Sequence, residues 1–428
     1  MRTDGAHGPA CFVMRGACIY RLPYTSAEAC HGGVVMRKGV SKILAVGLGL
    51  VLALGACSQG TGDTTESVPE EAIVAEETVA TLQASTVEAT EENVRLGGRT
   101  CESDGVRWLA QSGSAIEFEV DATRVAINLV GDEAVENVED LRPRFAVLLD
   151  GEVILDDILS EYTRTIEVFA GETSRKAVVE LMQLSESNSG VVGVDDIDIE
   201  SFSSTPIAPT SAKDLSIEFI GDSITCGYGV ESLEVTDGLR TTRENFMKSY
   251  AYFTAKALDA DCSAVCYSGY GIVSGWTGDG ERNASSLLPP LYDVVARKYD
   301  QPWDFSTHPS DVVVINLGTN DTTYTYGDEI REAEFSEGYE DFLAEVRERN
   351  PRSHIVCTLG TMDTQELYPA IEQAVERFKE RTGDVRVTSY MADVMDVDSD
   401  GAGAGWHPNE ITQQKIADEL TYVIRELL

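Results

Sequence analysis

Ser223 lies in the stretch Ser216 to Val230, S-I-E-F-I-G-D-S-I-T-C-G-Y-G-V. Ile217, Phe219 and Ile220 read as a short buried strand. Gly221-Asp222-Ser223 breaks it, and Gly227 and Gly229 keep the next turns open. A serine at the C-terminal edge of a strand is where open α/β sheets hold reactive groups. Its hydroxyl is a poor nucleophile alone and needs a positioned base. On its own the block also fits a serine N-cap at a strand-to-helix turn, so the partners decide. The chain has five histidines, and two of them precede Met36. His308 precedes a proline before a strand and His354 opens a strand. Neither abuts a candidate block, whereas His407 sits in Trp406-His-Pro-Asn409. His407 is therefore the candidate base. Ser268-Gly-Tyr-Gly271 and Gly318-Thr-Asn-Asp321 supply hydrogen-bond donors. The N–H groups of Ser223 and Gly271 and the side-chain amide of Asn320 are expected to form an oxyanion hole. Asp222 is expected to hold its turn, and Asp321 to be a structural loop carboxylate.

These blocks need elements that bring them together. From Pro206 the pattern alternates strand and helix. Strands are expected at Ile217–Ile220, Ala264–Tyr267, Asp311–Leu317, His354–Leu359 and Val385–Tyr390. Helices are expected at Asn245–Leu258, Tyr339–Arg349, Leu367–Arg381 and Pro408–Leu427, the last with Pro408 in its first turn. This implies a parallel sheet covered on both faces, with ligands beyond the C-terminal strand ends. Ser223, Gly271 and Asn320 each follow such an end, and His407 follows the last strand after a long loop.

Residues 94–205 read as all-β, with alternating runs such as Ala115–Val120, Val125–Val130, Thr165–Phe169 and Lys176–Leu181 and a hairpin turn at Asp150-Gly151. A sandwich or jelly roll follows, able to bind sugar or to buttress its neighbour. Residues 57–93 are rich in Thr, Glu, Ala and Ser without aromatics and read as a flexible tether. Residues 36–56 combine Met36-Arg-Lys38, Lys42 and an apolar run from Ile43 to Leu54. That run is too short to span a bilayer comfortably and reads as a signal peptide. Residues 1–35 fit none of this and read as an upstream mis-start.

A formal charge of −40 excludes nucleic acid and anionic lipid heads as partners and is compatible with neutral ones such as carbohydrate. The nine cysteines show no paired zinc-like spacing and no disulfide framework. Cys262 and Cys266 are either small buried residues or a pair.

Three blocks resemble the SGNH (GDSL) hydrolases: Gly221-Asp-Ser-Ile-Thr225, Gly318-Thr-Asn-Asp321 and His407-Pro-Asn409. The resemblance covers 214–428, and in that superfamily Ser, Gly, Asn and His take the four roles given above. It tightens on carbohydrate esterase family 2, through Gly98-Arg-Thr, Trp108-Leu-Ala, Ser112-Gly-Ser, Tyr267-Ser-Gly, Trp303-Asp-Phe-Ser306 and Trp406-His-Pro408. That family joins a jelly roll to a flavodoxin-like α/β/α SGNH domain and removes acetyl esters from sugars. The resemblance implies an esterase for acetylated polysaccharide or oligosaccharide, working through an acetyl-enzyme without metal or cofactor; the alternatives are an esterase or lipase for lipid or small acyl esters and a catalytically silent surface polysaccharide-binding protein, and a monomer is expected. Trp406, Trp276 and Tyr228 are candidates for stacking on sugar faces. Leu54-Gly-Ala-Cys57 resembles a bacterial lipobox, which implies lipidation of Cys57 and anchoring at the cell surface. One departure is plain. Many SGNH enzymes carry Asp three residues before the histidine, and here that residue is Ala404. Either a carboxylate from Asp393, Asp396, Asp398 or Asp400 folds back to the imidazole, or a backbone carbonyl holds Nδ1. The glycines of Gly401–Gly405 favour the carbonyl.

Overall fold

The computed structural model describes residues 81–428. The expected leader, Cys57 and most of the expected tether lie outside the described residues. The N-terminal part is built on four long strands: β2 (Ala115–Gly131), β3 (Arg144–Leu149), β4 (Thr163–Gln183) and β5 (Val192–Ser201). They pair antiparallel in one sheet, edged by β1 (Gln83–Val87) and further short strands. Two pairs of expected strands are in fact single bent ones. In β2, Ile116, Phe118, Val120 and Ala122 face the core, then Val125, Ile127 and Leu129 do. The parity changes where the register against β4 slips, between Ala122 and Arg124. An inserted residue turns the strand so that both halves bury the same side. β4 behaves likewise, with Ile166 and Val168 and then Ala177, Val179 and Leu181 in that core.

The tether boundary needs correcting. Residues before 94 already belong to the sheet, because β1 pairs with β5 from Gln83↔Ser201 to Val87↔Ile197. Its side chains are mostly exposed, so ladder hydrogen bonds hold it and no apolar pattern marks it.

The C-terminal part is a parallel sheet of β6 (Leu215–Gly221), β7 (Ala260–Cys266), β8 (Val312–Asn316), β9 (His354–Leu359) and β10 (Val387–Met391). Their order across the sheet is β7-β6-β8-β9-β10, the flavodoxin-like arrangement. The chain leaves β6 with a neighbour on each side, and that is the switch point of the sheet. Gly221 pairs with Cys266 on one side and Asn316 on the other. The segments after β6, β7 and β8 therefore start level on one rim.

Helices α1 (Tyr250–Ala257), α2 (Glu329–Arg349), α3 (Tyr368–Thr382) and α4 (Glu410–Leu427) flank the sheet. The helix expected from Asn245 is shorter, because the side chains of Asn245 and Ser249 each accept a following backbone N–H and restart the chain. The helix expected from Tyr339 begins at Glu329, where Asp328 accepts the N–H groups of Ile330 and Arg331. Pro408 lies outside α4, just before its N-cap Asn409. Cys262 and Cys266 are free. They are four residues apart on β7, and at about 3.3 Å per residue one extended strand cannot bring them within disulfide reach.

The two parts share a core. Ala146, Leu148, Met182 and Leu184 pack in one apolar cluster with Ile217, Phe219, Phe246 and Tyr250. Beside it Arg99, fully buried, donates to Glu218 at 2.9 Å and to the carbonyls of Tyr292 and Val294 at 2.6 Å.

Candidate active site

Ser223 opens a single helical turn, Ser223–Cys226. Asp222 caps that turn by accepting the Ile224 N–H at 3.0 Å, as its turn-holding role requires. Gly227 ends it in the left-handed region at φ 76°. Behind it, Gln413 of α4 donates to the Ile224 carbonyl at 2.9 Å and accepts the Tyr250 N–H at 2.8 Å. Ser223 is 5% exposed, so the turn presents a fixed hydroxyl at the rim.

His407 Nε2 stands 2.7 Å from Ser223 Oγ. Its Nδ1 stands 2.9 Å from the carbonyl oxygen of Ala404. No carboxylate occupies that position. Asp400 pairs with Lys415, and Asp396 caps the Ser399 N–H. A carbonyl accepts only, so Nδ1 carries the proton and Nε2 is left to accept from the serine. Burial pushes the imidazole down from 6.5 to about 4, partly opposed by that carbonyl. The segment carrying His407 lies directly on the nucleophile turn. Ala404 N–H donates to the Gly229 carbonyl at 3.2 Å, and a Cβ on Gly229 would meet the Ala404 Cβ at 2.5 Å.

Of the expected oxyanion donors, the Ser223 N–H meets no acceptor among the described residues. Asn320 Nδ2 donates to the Tyr270 carbonyl at 2.8 Å and, over a longer distance, to Asp222 Oδ2 at 3.3 Å. Gly271 does not fit its expected part. Its N–H donates to the Ser286 carbonyl at 3.1 Å, in a bridge between Gly271 and Leu287. The position needs glycine for another reason. A Cβ there would lie 2.0 Å from the Ser274 carbonyl oxygen and 2.5 Å from Asp321 Oδ2. The N–H in this loop without an acceptor is that of Gly269, at φ 83°. Spacing alone does not separate two glycines of one Ser-Gly-Tyr-Gly run. Asp321 is fully buried and accepts the N–H groups of Ile272, Val273 and Ser274 at 2.8–3.0 Å. It ties this loop to the Asn320 turn, and burial raises its carboxyl to about 6 against those hydrogen bonds.

Trp276 and Trp406 are 59% and 55% exposed, Trp406 in the left-handed region at φ 66°. Tyr228 is not free in the same way, because its ring packs on the His407 imidazole with centroids 4.5 Å apart. His308 stacks on Trp303, and His354 begins β9, at the N-terminal end of the parallel strands and away from the catalytic rim. Among the described residues no cluster of three or more His, Cys, Asp or Glu is placed to hold a metal, and no helix is long and apolar enough to cross a membrane.

Comparison with known proteins bears on both parts. Residues 96–209 match the carbohydrate esterase 2 N-terminal family and residues 219–415 the GDSL-like lipase/acylhydrolase family. A cellulase/esterase, CelE, of Acetivibrio thermocellus is 30% identical over 72% of this chain, and the chain spans 37% of that longer protein. An acetylxylan esterase / glucomannan deacetylase of Cellvibrio japonicus is 24% identical over 80% of this chain and 91% of its own. Among solved structures, a family two carbohydrate esterase from Clostridium thermocellum in complex with cellohexaose aligns with a TM-score of 0.69 at 28% identity. That alignment covers 78% of this chain and 98% of the other. The chain thus joins a carbohydrate esterase 2 N-terminal domain to a GDSL-like lipase/acylhydrolase domain, and belongs with the family 2 carbohydrate esterases.

Proposed function

We propose that the protein is a carbohydrate O-acetyl esterase working through a serine–histidine pair. The observation that carries this is the line from Ala404 carbonyl to Nδ1–H to Nε2 to Ser223 Oγ, at 2.9 Å and 2.7 Å. Ser223 Oγ attacks the acetyl carbonyl while His407 Nε2 takes its proton. The tetrahedral oxyanion is met by the Ser223 N–H, the Asn320 amide and the Gly269 N–H; Gly271 is not among the donors. His407 returns the proton to the departing sugar oxygen, leaving an acetyl-serine. Water, deprotonated by the same imidazole, then releases acetate. Neither half-reaction calls on a cofactor. Trp276 and Trp406 form the rim against which a sugar ring stacks. Support for a polysaccharide substrate comes from the relatives' printed activities and from the chain's strong negative charge, which suits a neutral polymer.

Acetate release from acetylated xylan and glucomannan tests this reading. Ser223→Ala removes almost no volume and should abolish release with the fold intact. More than about a hundredth of wild-type turnover would exclude Ser223 as nucleophile, since loss of such a serine costs far more. We further propose, from Leu54-Gly-Ala-Cys57, that the enzyme is held at the cell surface by a lipid on Cys57. Cys57→Ala should free it from membranes, and labelled fatty acid still entering that variant would refute the anchor.

A further inference from the structure

Behind the site, three segments meet on two glutamates that the ester chemistry does not use. Glu186 comes from the β part, in the loop after β4, and Glu244 from the loop before α1. Both are buried, at 1% and 0% exposed. Glu186 Oε2 accepts the Ser268 N–H at 2.8 Å, and Glu244 Oε1 accepts the Glu186 N–H at 2.8 Å. Around them Phe246 N–H donates to the Leu184 carbonyl at 3.0 Å, and Asn245 N–H to the Gly227 carbonyl at 3.2 Å. Ser268 begins the loop whose Tyr270 carbonyl holds Asn320 Nδ2 and whose Gly269 N–H meets no acceptor among the described residues. A carboxylate is costly to bury, and here it is fastened to the loop that carries the oxyanion donors.

We propose that Glu186 is a positioning residue for the esterase reaction. Through the Ser268 N–H it fixes the Ser268–Tyr270 loop, and through that loop it sets the Asn320 amide and the Gly269 N–H where charge develops. The inference rests on the serine-esterase reading above. It makes the N-terminal part a supplier of active-site geometry and not only a sugar-binding or buttressing module. Burial raises both carboxyls, and repulsion from Glu186 adds to the rise at Glu244. What Ser268 needs from residue 186 is an acceptor oxygen at the right height, and a neutral amide provides one.

The test is steady-state kinetics on an aryl acetate with the full chain carrying Glu186→Ala, Glu186→Asp or Glu186→Gln, with Asn320→Ala alone and combined with Glu186→Ala. Misplacement by about 1 Å costs on the order of 10²-fold. The Ala and Asp variants should therefore lose about ten-fold or more in kcat, with KM within about two-fold. The Gln variant should stay within about three-fold of wild type, because its amide oxygen accepts the same N–H. In the Asn320→Ala background, Glu186→Ala should cost much less than it does alone, since both act on one oxyanion. If the Ala variant does not fold, the Asp variant is read in its place. It keeps the carboxyl but withdraws the acceptor. Full kcat in the Asp variant, a Gln variant as slow as the Asp one, a loss confined to KM, or full additivity with Asn320→Ala would each overturn the inference. Ser223→Ala run alongside separates the two readings. An active Ser223→Ala enzyme sinks the serine mechanism itself. An inactive one beside a fully active Asp variant sinks only the role of Glu186.

Discussion

At the scale of single residues, the site turns on what holds His407. A buried carboxylate at Nδ1 orients an imidazole and also stabilises its charged form. The Ala404 carbonyl does the first with much less of the second. Burial then dominates, and the group sits near 4 rather than 6.5. The base is needed in its neutral form, which persists until the pH falls through about 4. The kcat/KM profile on an acetyl ester should thus be flat from neutrality to about pH 5, with its acid limb centred near the free-enzyme value. A limb centred near 6.5 would mean that the imidazole is solvated or charge-paired. The same shift has a stability consequence. Between about 6.5 and 4 the unfolded chain binds a proton here that the folded chain refuses. This residue therefore erodes stability as pH drops through that window and contributes nothing to the slope above it.

At the scale of elements, the distance from Nε2 to Oγ is set by two loops lying on each other. Gly229 follows the nucleophile turn at φ 58°, and a Cβ there would come within 2.5 Å of Ala404 Cβ and 3.0 Å of Ala404 N. Gly229→Ala should push the 403–407 segment outward and carry His407 with it. Turnover should fall by about 10²-fold, with only a modest drop in melting temperature. A variant with wild-type kcat would show that the segment is compliant. How far such features were legible follows from how local they are. The β6 strand, the Gly-Asp-Ser turn and the Gly-Thr-Asn-Asp turn announce themselves through residues that touch their own neighbours. The carbonyl at Nδ1 followed from a missing carboxylate together with a run of glycines. β1 could not be read, because Gln83–Val87 buries almost nothing and its only signature is the ladder with β5. Two bent strands read as four, since a bulge looks like a break in alternation. Gly271 was misassigned because the direction of its N–H is fixed by Ser286, in a bridge no spacing encodes. Glu186 stands in a Ser-Glu-Ser-Asn stretch with every mark of a solvated loop, and only the packing of both parts buries it.

At the scale of the whole molecule, the two sequence families lie in one compact unit, with an apolar cluster across their seam. Apolar residues from β3 and β4 pack with residues of β6 and α1, and a buried ion pair crosses the same seam. Arg99 reaches Glu218 on β6, while Tyr292 O–H donates to the other Glu218 oxygen at 2.7 Å. Both partners of the pair are buried, at 0% and 3% side-chain exposure. A pair this dry adds little net stability over an apolar substitute, but removing one partner strands a charge. Arg99→Ala should therefore lower the unfolding free energy by about 3–5 kcal/mol. Glu218→Gln added to it should recover part of that loss, because the stranded charge is then gone. Urea unfolding followed by intrinsic fluorescence and by loss of esterase activity should give one coincident transition for the parent chain, since each part has its own core but separating them would bare the apolar cluster they share. Two separated transitions would show the parts to be independent domains. A Glu218→Gln that further destabilises Arg99→Ala would show that the carboxylate had found another partner.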